Sequence, residues 1–375
     1  MTKVVILGSG FGGMESALRL REMNHSLDIR VIDKSAYFTY QVSLHKVMVG
    51  NLKRSDIMIN LENLYRKERI IFYKDEIIQV RPWDKIVVTG SRHLEFDYLV
   101  IAVGGVTNYF GTQGIKEYAF ELKNVFDAEK IYRQVQNDLD KAKFYKEPIN
   151  IVVCGGGLTG VEVAGEIADM SKGKAKVIIV ESGKTIMKSF PKKAIDYAIK
   201  VLKKKAVEIR TGSRVKKAEK GKIILDNKKE IFTNTIVWCC GIKPPLIVHK
   251  MGLRTNERGA IITNEYLQTA RPYIYAVGDC AYIYHNPQPQ TALTAIQEAE
   301  TVAKNIIADI KGGEKKVHKP KDVPYLISIG KNRGIMLRKK RVRRGFPVII
   351  IKKFIEKHYL FTRKNWYWPF NKTLK

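Results

Sequence analysis

Apolar positions along the chain come in short runs. Val4-Val5-Ile6-Leu7 reads as a buried strand that stops at Gly8. Gly8-Ser9-Gly10-Phe11-Gly12-Gly13 follows, and helical spacing then runs from Met14 to about Met23. A second strand, Ile29-Arg30-Val31-Ile32, ends on Asp33, 20 residues past Gly13. The same succession returns 147 residues later. Strand Ile149–Cys154 leads into Gly155-Gly156-Gly157-Leu158-Thr159-Gly160, then a helix to about Met170, then Val177–Val180 ending on Glu181. Ala17 and Ala164 fall on the helix face that meets the sheet, and Glu15 and Glu162 each stand two residues before that alanine. Strand, crossover helix and strand predict parallel sheets with helices on both faces, an α/β fold.

Each part of the repeat has a mechanical use. Gly8 and Gly155 allow a tight turn, and Gly10 and Gly157 let backbone N–H groups approach a pyrophosphate. Gly13 and Gly160 let the helix pack close to the strand. The helix N-terminus faces phosphate charge, and Asp33 or Glu181 accepts hydrogen bonds from a ribose. Two such units predict two dinucleotides, and a flavin beside a nicotinamide can exchange a hydride. A carboxylate at Glu181 repels a 2′-phosphate and so favours NADH, although Lys184 nearby leaves NADPH use open.

The 375 residues suit two to three domains. No apolar run approaches the ~18 residues of a spanning helix, and the first run ends too early for a secretory signal. The cysteines, at 154, 239, 240 and 280, have no CxxC spacing, which disfavours a zinc site or a disulfide framework. No metal is expected. The formal net charge is +30, and residues 331–375 carry nine Lys and six Arg against the single acid Glu356. Such a segment wants an anionic surface. Nucleic acid is disfavoured, because no nucleic-acid module accompanies the charge. Ile351, Phe354, Ile355 and Tyr359 are spaced as one helical stripe, and an aromatic group, Trp366-Tyr367-Trp368-Pro369-Phe370, follows. Basic residues, aromatics and a stripe suit a helix lying in a lipid interface. The alternative is a helix packed on the protein itself or on a second copy, as in a homodimer.

Three further stretches carry a resemblance. Phe96–Gly105 is similar to the strand-and-glycine segment of flavin disulfide-reductase-type folds, Tyr273–Ala281 to their late FAD motif, and Thr235–Gly241 to the strand closing their NAD domain. Within that superfamily the chain resembles the type II NADH dehydrogenases, single-subunit NADH:quinone oxidoreductases. The matching residues are Val106–Gly111, Leu122-Lys123, Asp127-Ala128, Tyr37, Gln41, Leu44, Val47, Gly50, Leu52, Thr291–Glu298 and Phe354–Thr362. It departs at Leu293, where the family carries Gln, and at Val42, where it carries Pro.

The resemblance implies two Rossmann-like domains, for FAD and NAD, and a C-terminal membrane-docking segment. The expected boundaries are 1–112 and 252–325 for the FAD domain, 113–251 for the NAD domain and 326–375 for the docking segment. The implied cofactors are FAD and NADH. The implied partners are a quinone and an anionic membrane surface, at the cytoplasmic face of the cell membrane. Candidate cofactor-binding residues are Gly8, Gly10, Phe11, Gly12, Gly13, Asp33, Lys34, Gly104 and Asp279 for the flavin. For the nicotinamide they are Gly155, Gly157, Gly160, Glu162, Glu181 and Gly241. Glu166, Gln297 and Glu298 are the candidate catalytic residues, with Glu166 as proton relay to the quinone or else an ordinary helix acid paired to a lysine. His45 and His285 are further proton-donor candidates. The cysteines supply no redox pair, so disulfide and sulfide chemistry are disfavoured. Alternatives are a soluble NADH oxidase, an NADH-dependent reductase of a redox-carrier protein, or a slow redox sensor. Removing residues 347–375 is expected to free the protein from membranes and leave flavin reduction intact.

Overall fold

The structure, a computed structural model, describes residues 1–144 and 148–365. Strands β1 (Lys3–Leu7), β2 (Asp28–Asp33), β3 (Ile71–Lys74) and β4 (Tyr98–Ile101) lie parallel, with helix α1 (Phe11–Met23) crossing from β1 to β2. A late strand, Ile274–Ala276, adds to β4 and completes the sheet. Val4 to Leu7 are fully buried, which is why β1 reads as an unbroken apolar run: helices or loops cover both of its faces.

The second sheet repeats the first. Its strands are β5 (Phe120–Glu121), β6 (Ile149–Cys154), β7 (Ala175–Val180), β8 (Glu208–Arg210) and β9 (Thr235–Trp238), in the order β5-β9-β6-β7-β8. Helix α2 (Leu158–Ser171) crosses from β6 to β7. In both sheets the strand before the glycine loop is flanked by the strand that ends in the acid and by a later strand. The chain crosses between the sheets twice, and the crossing segments Val106–Thr107 and Ile242–Lys243 pair antiparallel.

Helix α3 (Ala292–Ile310) starts at Thr291, whose side chain accepts from the Thr294 N–H, and it packs across α1. A loop then leads to an antiparallel meander, β10 (Tyr325–Ser328), β11 (Gly334–Arg338) and β12 (Arg341–Gly345). The basic run therefore forms a hairpin, turning at Lys339-Lys340. Helix α4 (Phe346–Lys364) follows, with Pro347 in its first turn.

Helix α4 buries Val348 and Ile349 and exposes Lys353, Lys357 and Lys364 as a surface helix does, but it also buries charges and exposes apolar side chains. Lys352, Glu356 and Arg363 are buried, whereas Phe346, Ile350, Ile351, Phe354, Ile355 and Phe361 are exposed, Phe354 to 70%. The expected stripe is thus partly corrected. Ile351, Phe354 and Ile355 share the outer face, but Tyr359 turns inward, where its hydroxyl finds an acceptor in Glu15. The aromatic group at 366–370 lies outside the described residues.

Candidate functional site

The two glycine loops are built alike. Gly8 has φ +91° and Gly155 φ +103°, a region that disfavours side chains, and a Cβ on Gly155 would stand 2.7 Å from the Cys239 carbonyl. A Cβ on Gly13 would collide with the Gly8 carbonyl, and one on Gly160 with that of Gly155, so helix and loop touch in both copies. At Gly10 and Gly157 a Cβ would meet nothing within 4 Å. Each loop therefore leaves open space before a helix N-terminus, where phosphate charge is favoured. The strand-end acids brace their loops identically. Asp33 accepts from the Ser9 N–H at 2.6 Å and the Ser35 N–H at 2.8 Å. Glu181 accepts from the Gly156 and Gly183 N–H groups, both at 2.6 Å. Lys34, next to Asp33, is exposed. Gly12 packs on Val277, Gly104 opens onto free space, and Gly241 lies beside Phe110. This arrangement fits two dinucleotides.

Asp279 sits in a short turn, Gly278–Cys280, at the edge of the first loop. Burial pushes its carboxyl up, and the Lys123 ammonium opposes that shift. Glu298 reaches this turn from α3 and accepts the Gly278 N–H at 2.6 Å. Burial raises the Glu298 carboxyl to about 8. Glu298 thus holds the Asp279 turn. Gln297 faces elsewhere: its amide accepts from the Lys321 N–H at 2.9 Å and donates to the Lys321 carbonyl at 3.2 Å. Gln297 and Glu298 are thereby spent on two different backbone segments.

Glu162 and Glu166 lie on one face of α2, toward the meander and α4. Glu166 is buried, accepts from the Asn51 amide at 3.0 Å, and is pushed up to about 7, chiefly by burial. A carboxyl at about 7 exchanges protons near neutral pH. Glu162, expected to contact the nicotinamide, is instead engaged by the Lys352 ammonium and by the Ser328 N–H at 3.0 Å. Burial pushes its carboxyl up, but Lys352 and its other partners outweigh this and bring it to about 2. Lys46 pairs with Glu356 of α4 in the same cluster. Sequence reasoning missed Lys46, Asn51, Lys352, Glu356 and Arg363. The available signal was the Lys352/Glu356 pair, charges four apart within an apolar helix.

His45 is buried against Ser328 and Glu162, and burial lowers it to about 3, so it stays neutral. His285 is exposed and meets the Tyr284 ring edge-on at 4.7 Å. All four cysteines are free, and burial pushes Cys239 and Cys280 up to about 12, with Cys154 and Cys240 also raised. Thiols in that state are poor nucleophiles.

The profile of the pyridine nucleotide-disulphide oxidoreductases matches residues 2–299. The chain belongs to that family. It is 28% identical over 385 aligned positions to a type II NADH:quinone oxidoreductase of Staphylococcus saprophyticus, covering 96% of this chain and 95% of that one. A Staphylococcus aureus protein of the same name is 27% identical over 384 positions, with the same coverage. Among solved structures, NDH2 from Plasmodium falciparum in complex with NADH superposes with a TM-score of 0.85 at 19% identity, covering 97% of both chains. The sulfide:quinone oxidoreductase of Aquifex aeolicus superposes equally well, with a TM-score of 0.85 at 21% identity, covering 97% of this chain and 92% of that one. These two likenesses establish the shared fold.

Proposed function

We propose that the chain is a type II NADH:quinone oxidoreductase that passes a hydride from NADH to FAD and then two electrons to a membrane quinone, without pumping protons. The observation that carries this reading is the pair of open, acid-braced glycine loops in one family fold, joined to a helix whose exposed face is apolar. Bound FAD supplies the hydride acceptor and the two-electron store. Residues 1–112 and 252–325 hold it: the Gly8–Gly13 loop takes the pyrophosphate, Asp33 a ribose and Asp279 the chain next to the ring. Residues 113–251 hold NADH through the Gly155–Gly160 loop, with Glu181 on the free 2′-hydroxyl. Positioning does most of the work in the hydride step, so no acid or base is required there. Quinol formation consumes two protons, and Glu166 is the buried carboxyl poised to relay them. Gln297 and Glu298 keep the α3 side of the pocket in place, Glu298 through the Asp279 turn.

The quinone arrives from lipid. No described helix is long and apolar enough to cross a membrane, so α4 lies along the surface and buries Ile350, Ile351, Phe354, Ile355 and Phe361 in the interface. The hairpin residues Lys339, Lys340, Arg341 and Arg343 are exposed and face anionic headgroups at the cytoplasmic leaflet. A second copy of the chain would bring the same basic hairpin close to itself, which like-charge repulsion opposes. A soluble reductase has no use for this face.

Anaerobic stopped-flow absorbance tests the reading. NADH should bleach the oxidised-flavin band quickly, and a short-chain quinone should restore it. Bleaching without recovery would move the acceptor elsewhere, and no bleaching would end the assignment.

A further inference from the structure

The duplicated glutamates have the same fate. Glu15 and Glu162 occupy matching positions, one turn into α1 and α2, and each is neutralised by a cation of the same helix, α4. Lys352 engages Glu162, and Arg363 engages Glu15. The Glu15 carboxylate is fully buried. It accepts Arg363 Nη2 at 3.0 Å and the Tyr359 hydroxyl at 2.9 Å, while Arg19 stands at 4.0 Å. The Tyr359 ring also lies 5.9 Å from Phe11, which follows Gly10 in the first phosphate loop, and 5.4 Å from Tyr40. Phe11 in turn meets Phe38 edge-on at 5.1 Å. The inner face of α4 is therefore part of the wall behind the first dinucleotide site. Its outer face is the exposed apolar one.

We infer that α4 is a strap that couples lipid binding to flavin retention, with Tyr359 and Arg363 as positioning residues that hold α1 and its phosphate loop through Glu15 and Phe11. This rests on the proposed reading of the outer face as a lipid surface and of the first loop as the flavin site. With α4 docked, Glu15 has its countercharge and Phe11 its cover. With α4 lifted, α1 carries a buried carboxylate without its guanidinium, and the loop in front of the phosphates loses its support. Lipid that binds the outer face of the docked helix favours the docked state. Linkage then requires that lipid tighten flavin binding and that flavin tighten lipid binding by the same factor.

The test uses the full-length holoenzyme and vesicles of phosphatidylglycerol and phosphatidylcholine. Flavin release after dilution is followed by the fluorescence of free FAD, and vesicle binding by flotation. Vesicles should slow release about tenfold. The double variant Phe354→Ser, Ile355→Ser alters only the outer face, so it should release flavin at the wild-type rate without vesicles and lose the vesicle effect. Arg363→Gln should speed release without vesicles, Arg363→Lys should restore part of the loss, and Tyr359→Phe, which keeps the ring, should fall between. Protein that floats with vesicles yet releases flavin at an unchanged rate overturns the coupling. Protein that does not float overturns the lipid reading first. Wild-type release from both Arg363→Gln and Tyr359→Phe removes the positioning role.

Discussion

The Tyr359 hydroxyl donates to Glu15 across 344 residues of chain, at 2.9 Å. This contact changes what truncation should do. Residues 347–375 look in the sequence like a removable anchor, but the structure sets Lys352, Glu356, Tyr359 and Arg363 into the body of the protein. Removing one partner of a buried ion pair costs about 3–5 kcal/mol, and the deletion strips the partners of Glu15, Glu162 and Lys46 together. The truncated protein should therefore melt well below the full chain and hold less flavin, as calorimetry and the flavin-to-protein absorbance ratio would show. A truncated form with unchanged Tm and full flavin would mean that α4 docks too weakly to act as a strap.

Glu166 should govern the quinone half-reaction alone. Its carboxyl, pushed up to about 7, is neutral below that pH and ionised above it. Donor capacity is lost as pH rises through 7, so quinone-driven flavin reoxidation should slow on the alkaline side. Glu166→Gln cannot deliver a proton and should slow reoxidation about a hundredfold, with bleaching by NADH unchanged and the inflection near 7 gone. An intact inflection in the variant would assign it to another group.

Glu298 should leave a mark on stability instead. Its folded value of about 8 stands above the ordinary carboxyl range, so folding takes up a proton between the two. The stability it contributes is full at pH below its unfolded value and is lost as pH rises through 8. Glu298→Gln keeps an acceptor for the Gly278 N–H and cannot ionise. Its Tm should fall less than that of the wild type between about pH 6 and 9, by roughly 3–5 °C. Parallel melting curves would show that Glu298 does not titrate in this range.

What the sequence disclosed and what it hid follow from range. The glycine loops, Asp33, Glu181 and the acid-to-glycine spacing are local, because a tight turn, an open cradle and a helix start are decided within about thirty residues. The role of Glu162 is not local. Its partner Lys352 lies 190 residues away, and the pair forms only when the meander swings α4 across both dinucleotide helices. The sequence pattern of α4 gave its apolar stripe but not its polarity. A helix with six exposed large apolar residues and three buried charges looks like an ordinary amphipathic helix until its partners Glu15, Glu162 and Lys46 are in place.

The basic hairpin makes a separate prediction about salt. Lys339, Lys340 and Arg341 are exposed at the turn of β11 and β12, and each should add about 1 kcal/mol at an anionic surface. Replacing all three by Ala should weaken binding to phosphatidylglycerol vesicles about a hundredfold, and the wild type should lose affinity as ionic strength rises. Binding that ignores both would leave the outer face of α4 as the sole contact.

Leu293 offers the sharpest test of where the quinone sits. It occupies the first turn of α3, half-buried, one turn before Gln297, at the position where the family resemblance leads one to expect Gln. Gln297 cannot substitute for the missing amide, because both ends of its side chain are held by the Lys321 backbone. If the quinone head group lies against the start of α3, a Gln at 293 would supply a hydrogen bond worth about 1 kcal/mol. Leu293→Gln should then lower KM for a short-chain quinone about fivefold and leave the NADH-driven bleaching rate untouched. The two readouts separate the possibilities. A change in bleaching would mean that the substitution disturbs the Asp279 turn through Thr294 and Glu298. An unchanged KM would place the head group away from α3, nearer to Glu166 and Asn51.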